Sequence, residues 1–407
     1  MKYACIVVGS GIAGCLVAYR LQKHLPRGSV LLVDQASRLG GRILTVDDGM
    51  GGIMEFGAMR ISEHHYEAIS LFNELGISLE NFNGIFKKNG LLYIDGQQRR
   101  IGHDIVTSED VLNHAMSEYI NKHSFNARSG QKSQASLLNC LEQDFNCSYY
   151  ELAFSEVIHH ILTPFQYDYY KRSCGYDYFF RQDVSFHGVV SSNRGLQYGC
   201  KYYEPIDGMY TVIDKLCKAF IDHGGRIHLK QSILSLQSGN EEYVVNTDKR
   251  SYHAQTIIFA IPPHLLSKVD GLSSKIEPSL KHLSTALGHY SSLKTFAYFE
   301  DDWWSSLIIS DRKTCEAFRT DLPLRQGIYP NIASPASQAM LIEYRNCMKS
   351  DPIEPLQTEE YSQYLSMIHG LKVPQPSMLW RYNWIDSSSG IAAHYLKTGA
   401  KFSDLHI

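Results

Sequence analysis

The hydrophobic pattern at the start of the chain alternates between strand and helix. Tyr3-Ala4-Cys5-Ile6-Val7-Val8 is a continuous apolar run of strand length that stops at Gly9-Ser10-Gly11. From Ile12 to His24 the apolar positions Ile12, Leu16, Val17 and Leu21 keep a helical spacing, which Pro26 and Gly28 end. Val30 to Val33 reads as a second strand, closing at Asp34. Together these elements predict a βαβ unit of a parallel α/β sheet.

From about Ile61 to Arg181 the pattern changes to a hairpin between Gly84 and Ile101 and then helical segments rich in His and Tyr. Strand-like runs return at Arg226 to Leu229, Tyr243 to Val245 and Thr256 to Ala260, the last closed by Ile261-Pro262-Pro263. The fold of the first unit is therefore expected to resume near Glu204. Leu293 to about Tyr344 alternates apolar and polar residues and predicts a further sheet. The expected class is α/β, a Rossmann-like parallel sheet with an inserted α+β domain that includes a mainly helical region.

Charge narrows the partners. The chain has 39 Lys and Arg against 42 Asp and Glu, a net charge of −3 over 407 residues, so no basic surplus marks a nucleic-acid partner. With 44% hydrophobic residues it can bury a sizeable core. The 26 tyrosines outnumber the 17 phenylalanines, so many buried rings bring a hydroxyl that wants a partner. Cys5, Cys15, Cys140, Cys147, Cys174, Cys200, Cys217, Cys315 and Cys347 show no Cys-x-x-Cys spacing and read as reduced thiols rather than metal ligands, so no metal is expected. Met1-Lys2-Tyr3 runs straight into the first strand, with neither a secretory leader nor any stretch near the roughly 20 apolar residues of a membrane span. The expected compartment is cytoplasmic, and Asn146-Cys147-Ser148 is then a chance match to a glycosylation acceptor.

Gly9-Ser10-Gly11-Ile12-Ala13-Gly14 has the Gly-x-Gly-x-x-Gly pattern between strand and helix. Its glycines serve the tight turn, the approach of a pyrophosphate and close helix–strand packing. Asp34, at the end of the next strand, is placed to accept from an adenosine ribose hydroxyl. Arg38-Leu39-Gly40-Gly41-Arg42 follows, then Met54-Glu55-Phe56-Gly57-Ala58-Met59-Arg60. With these two stretches the sequence resembles the flavin-dependent amine oxidase family, in particular its L-amino acid oxidases. The likeness continues in family order through Arg172 to Asp177, Asp207-Gly208-Met209, Gly225-Arg226-Ile227, Ala260 to Pro263, Lys294 ahead of Trp303-Trp304, and Leu324-Arg325 to Tyr329.

The resemblance implies FAD as cofactor. Gly9, Gly11, Gly14, Asp34, Gly40, Gly41, Arg42 and Ile233 would hold its adenosine diphosphate moiety, and Gly57, Ala58 and Met59 would pass beside the isoalloxazine. It divides the chain into a first FAD-binding segment (1–60), a substrate and helical region (61–203), a second FAD-binding segment (204–265), a substrate-domain sheet (266–375) and a C-terminal segment (376–407). Lys294 would position a water at the flavin, Arg60 would bind substrate, and Tyr176 and Tyr344 would line its pocket. Leu196 stands where an indole-oxidising member carries a pocket histidine, which argues against indole specificity.

Physical chemistry adds reasons and alternatives. A guanidinium offers paired donors to a carboxylate, so Arg60 beside the flavin would select α-amino acids; the alternative is a structural ion pair with Glu55. Lys294 lies in an alternating strand, where a lysine can equally face solvent. Family members also close with an apolar strand, Gly-Glu and a Gly-Trp-x-x-Gly-Ala helix start. No such segment follows Trp380-Arg381-Tyr382-Asn383-Trp384, so residues 376–407 are expected to be truncated or diverged.

The leading expectation is FAD-dependent oxidation of an L-amino acid to its imino and then 2-oxo acid, with dioxygen reduced to hydrogen peroxide. The alternatives are a catalytically impaired flavoprotein-like binding protein and an amine or polyamine oxidase. The partners implied are an amino acid or amine and dioxygen, with neither nucleic acid nor membrane, and a homodimer is admitted.

Overall fold

The structure is a computed structural model and describes residues 2–82, 90–101, 104–123, 134–192, 201–239, 242–309, 313–314, 316–329, 339–347 and 353–405. Gly84, the expected start of the hairpin, and Leu196 lie outside them.

The βαβ unit folds as its pattern predicts, with strands Lys2–Val8 and Val30–Val33 flanking the helix Ile12–His24. They sit inside a six-stranded sheet whose order is Arg226–His228, Val30–Val33, Lys2–Val8, Ser251–Phe259, Tyr243–Thr247 and Ile233–Ser238. The first four strands are parallel and the last two antiparallel. Side chains alternate between the two faces of this sheet. Cys5, Val7 and Leu32 pack under the helices with Val212, Ile213 and Leu216, while Ile6, Val8 and Leu31 pack with Val245, Tyr252 and Ala254. Burial on both faces explains why these strands read as unbroken apolar runs. Helix Tyr210–Asp222 lies beside Ile12–His24 and brings the Cys217 and Cys15 sulfurs to 3.5 Å, a meeting that their spacing of 202 positions conceals.

A second, eight-stranded sheet carries the remainder of the site. Its order is Met378–Asn383, Leu287–Tyr298, Met340–Cys347, Gln326–Ile328, Ala317–Thr320, Gly90–Ile94 and Gln97–Arg100, with Ala393–Leu396 added along Leu287–Tyr290. The early hairpin is thus a sheet edge, because Gly90–Tyr93 pairs in parallel with Ala317–Thr320. Helix Thr358–His369 covers one face through Tyr361, Leu365 and Ile368, packed on Phe318, Met340 and Ile342.

The helical region has its own core around Leu112, Leu141, Phe154, Val157 and Phe186. Helix Pro164–Ser173 starts where its sequence says it should, with Thr163 and Gln166 forming a reciprocal capping box and Pro164 at the first turn. Strand Tyr202–Pro205 pairs with Ile61–Ser62 and Leu79–Asn81 rather than with the parallel sheet, which the chain rejoins at Arg226–His228. Residues 376–405 contribute strands to the eight-stranded sheet and a connecting segment, Trp384 to Ala392, that crosses back to Gln35 and Arg42. Among the described residues no helix is long and apolar enough to cross a membrane.

Candidate functional site

The turn after the first strand is assembled from backbone. Gly9 has φ +103°, and a Cβ on Gly14 would stand 1.8 Å from the Gly9 carbonyl oxygen, so this turn and the helix it opens touch through main chain alone. Gly40 and Gly41 (φ +100° and +55°) fold against the same turn, with Gly40 N donating to Ser10 O and a Cβ on Gly41 falling 2.9 Å from Gly11 Cα. Gly11 differs. A Cβ built there meets nothing nearer than Gly41 Cα at 4.0 Å, leaving open space at the first turn of the helix, where unpaired N–H groups and the helix dipole favour an anion.

Asp34 faces this space. Its Oδ2 accepts from Ser10 N at 2.6 Å and Ser10 Oγ at 2.7 Å, and its Oδ1 from Ala36 N at 2.7 Å. A carboxylate has about four acceptor positions, so one remains for an incoming hydroxyl. Gln231 N donates to Asp34 O, which brings Ile233, two residues on, to the same side of the sheet. Arg42 pairs with no carboxylate among the described residues. Its guanidinium lies 3.5 Å from both Ala392 O and His394 Nδ1. Surrounding protein desolvates it and lowers its pKa, yet the side chain stays solvent-accessible, as expected on the wall of a cleft.

At the other end the eight-stranded sheet presents Lys294. Tyr344 and Tyr382 flank it in register on the two neighbouring strands, so the three side chains share one face. Lys294 is 3% exposed, and its Nζ donates to Glu55 O at 2.9 Å and Gly57 O at 2.7 Å. The Met59 sulfur lies at 3.5 Å and the Tyr344 ring centroid at 5.3 Å. Burial lowers its pKa to about 7; the Glu55 carboxylate opposes the shift and Arg60 adds to it. A neutral amine in this setting gives its two hydrogens to the carbonyls and keeps one lone pair. The segment from Glu55 to Met59 therefore fixes the lysine. Gly57 must lack a side chain for a reason internal to the chain, since its Cβ would strike Arg42 O at 2.2 Å; the cofactor's approach is not needed to explain its smallness. Ala58 N is tied to Arg42 O in the same turn.

Arg60 lies between aromatic faces, 4.9 Å from the Tyr202 ring centroid and 5.7 Å from that of Phe82. Glu55, its alternative ion-pair partner, is engaged elsewhere, accepting from Met209 N at 2.6 Å and Thr45 Oγ1 at 2.9 Å. Burial raises the Glu55 pKa. The Tyr176 hydroxyl stands 3.4 Å from Arg60 Nη2, and its ring meets Tyr344 edge-on at 6.4 Å. Behind Tyr176 a chamber of about 130 Å³ is lined mainly by apolar side chains, among them Leu112, Met116, Phe154 and Phe179, together with Glu109 and Asn113. Arg60, Lys294, Tyr176 and Tyr344 thus converge, whereas Asp34 and Ile233 belong to the far end.

The sequence matches the profile of the flavin containing amine oxidoreductases over residues 12–404, a span that includes Asp34, Arg42, Arg60 and Lys294. The chain belongs to that family. The flavin-dependent L-tryptophan oxidase RebO of Lentzea aerocolonigenes is 36% identical over 89 residues, a match spanning 21% of this chain and 18% of that enzyme. Among solved structures, a putrescine oxidase double mutant redesigned in its cofactor binding superposes with a TM-score of 0.66 at 17% identity, covering 98% of this chain and 89% of its own. That agreement establishes the amine-oxidase fold.

FAD is the cofactor of this family, and the open space at Gly11 and the acid-free Arg42 fit its pyrophosphate. Several residues of the site are not evident from sequence. Tyr382 could be found from the alternation of Met378 to Asn383, which puts it on the Lys294 face. Tyr202, Phe82 and Trp384, whose Nε1 donates to Phe56 O at 2.9 Å, carry no local signal. No group of side chains among the described residues has the make-up of a metal site.

Proposed function

We propose that this flavin amine oxidoreductase oxidises L-amino acids, with Arg60 as the anchor for the substrate carboxylate. The observation that carries the reading is the setting of Arg60: half-buried, free of any carboxylate among the described residues, and in the same aromatic cluster as Lys294. A desolvated guanidinium without an acid partner is unfavourable unless an anion completes it, and its fork matches a carboxylate's two oxygens. Bound FAD, held by Asp34, Arg42 and the Gly9–Gly14 turn, would supply the two-electron redox chemistry that links oxidation of the amino acid at Cα to reduction of dioxygen to hydrogen peroxide. The released imino acid hydrolyses to a 2-oxo acid and ammonia.

In this reading the chain's own residues orient and tune. Asp34 and the Gly9–Gly14 turn hold the adenosine diphosphate, and Arg42 neutralises a phosphate. Tyr344 and Tyr176 wall the substrate. With a pKa near 7, Lys294 Nζ can hold a water and exchange a proton with it at neutral pH while its carbonyl contacts keep it in place.

The test combines two measurements. Flavin absorption bands in the purified chain, with peroxide produced from amino acids, are expected. Arg60→Lys should lower amino acid turnover by up to about 2–3 kcal/mol in kcat/KM and leave the corresponding decarboxylated amine nearly unchanged. Equal losses on both substrates would assign Arg60 to the fold and the enzyme to simple amines.

A further inference from the structure

Arg42 adjoins a second cleft, none of whose lining residues has a role in the proposed reaction. It holds about 250 Å³ and is walled by Arg181, His264, His289, His394 and Lys397, with Leu283 and Leu287 on its apolar side. The His264 and His289 rings stack at 5.1 Å, and His394 lies 6.3 Å from His264. The acid in the wall, Asp183, is ion-paired with Arg181, accepting from Arg181 Nε at 3.0 Å, Arg181 Nη2 at 3.3 Å and the Tyr395 hydroxyl at 2.8 Å. The other charges that face the imidazoles are cations: Lys268 and Arg42 toward His264, Lys397 and Arg181 toward His289, and Arg42 toward His394. Burial is the main cause that lowers the three ring pKa values, His394 to about 4; the Ser389 carbonyl opposes it at His264, and the neighbouring imidazoles and cations add to it, so the rings are neutral at neutral pH.

The partners of two of these rings fix where their hydrogens sit. His264 Nε2 faces Ser389 O at 2.9 Å; a carbonyl only accepts, so Nε2 carries the hydrogen and Nδ1 keeps a lone pair. His394 Nδ1 faces Arg42 Nη1 at 3.5 Å; a guanidinium only donates, so the hydrogen is on His394 Nε2. The two remaining nitrogens, His264 Nδ1 and His394 Nε2, are buried and have no hydrogen-bond partner among the described residues. Buried polar atoms are rarely left unpaired, and here one orphan accepts while the other donates. A single proton added at His264 Nδ1 turns that orphan into a donor and adds a positive charge to the wall of the cleft.

We infer that the cleft of His264, His289 and His394 is an oxyanion site for a phosphate- or sulfate-like group, and that each anion bound is accompanied by one proton taken up at His264. The inference does not depend on which substrate is oxidised. Because the cleft adjoins Arg42, the oxyanion has two sources, the phosphates of FAD or a free anion. The sign of the pH dependence follows from the uptake. Affinity rises as pH falls, by about tenfold per pH unit, until His264 is protonated without the anion, and then levels off.

Calorimetric titration of the full chain with sulfate, which does not itself titrate near neutrality, in two buffers of different ionisation enthalpy reads the proton directly. About one proton taken up per sulfate is expected, with affinity rising about tenfold from pH 8 to pH 7. His264→Gln should abolish the uptake and His289→Gln should keep it. Repeating the titration on FAD-saturated protein separates the sources: loss of sulfate binding assigns the site to the cofactor's phosphates, and its persistence to a free anion, the oxyanion assignment standing in both cases. No sulfate binding to the FAD-free chain, binding without proton uptake, or uptake that survives His264→Gln overturns the proposal. The measurement on the unsubstituted chain decides even if a variant fails to fold.

Discussion

At the dinucleotide end the protein works with backbone. Gly9, Gly14, Gly40 and Gly41 are packed so closely that main-chain atoms are each other's neighbours, and the open helix start at Gly11 has only Asp34 and Arg42 as polar side chains of the proposed cradle beside it. At the Lys294 end the reverse holds. Four side chains from four distant segments converge, burial shifts the lysine, and the alignment of Lys294 with Tyr344 depends on strands paired across the chain. A site made of turns is fixed once a short stretch folds. One made of converging side chains exists only when the whole sheet does, which is what allows burial to tune it.

The largest effect we predict separates two glycines of one motif. Gly14→Ala places a Cβ 1.8 Å from Gly9 O, a main-chain clash that no rotamer relieves, and should cost upward of about 3 kcal/mol in urea unfolding. Gly11→Val enters the open space, so stability should change by only about 1 kcal/mol while FAD is lost on gel filtration, the added branch standing where the pyrophosphate approaches. If the two variants lost stability equally, the division between a packing glycine and a cradle glycine would break.

At the other end Lys294→Met should leave folding intact and lower turnover by about 10²–10⁴, the usual range for removing a proton-handling group. It should also change how stability follows pH. Lys294 titrates near 7 when folded and near 10.5 when exposed, so between those values the unfolded chain binds more protons and stability rises with pH; the burden of burying the charge is complete below pH 7. Unfolding at a series of pH values should show the slope falling by up to about one proton in Lys294→Met. An unchanged slope would place the lysine in water and remove its tuning.

The same contrast decides what could be read in the sequence. Gly9 to Gly14, Asp34 and the Arg38 to Arg42 stretch sit within one βαβ unit, and their spacing expresses local geometry, so the motif and the parallel sheet could be read directly. Lys294 and Arg60 were legible only through their resemblance to a family, because an alternating strand with a lysine looks the same whether that face meets water or Tyr344 and Tyr382. The parallel pairing of Gly90–Tyr93 with Ala317–Thr320 joins residues more than two hundred positions apart, which periodicity cannot register. The two buried histidine nitrogens near Arg42 depend on where the Ser389 and Ala392 carbonyls happen to cross, and nothing in the order of residues announces that.

The smallest predicted effect refines the side-chain end. Tyr176 reaches Arg60 only at 3.4 Å, the outer limit of a hydrogen bond, while its ring is held edge-on by Tyr344 and against Phe179. Tyr176→Phe keeps the ring and removes only that contact. The fold and FAD content should be unchanged, and KM for an amino acid should rise by a few-fold at most, corresponding to less than about 1 kcal/mol, with kcat preserved. Arg60 retains its stacking on Tyr202 and Phe82, so its position survives the loss. A fall in kcat of tenfold or more would instead mean that the hydroxyl touches the reacting substrate, making Tyr176 a participant in the chemistry rather than a wall that steadies the guanidinium.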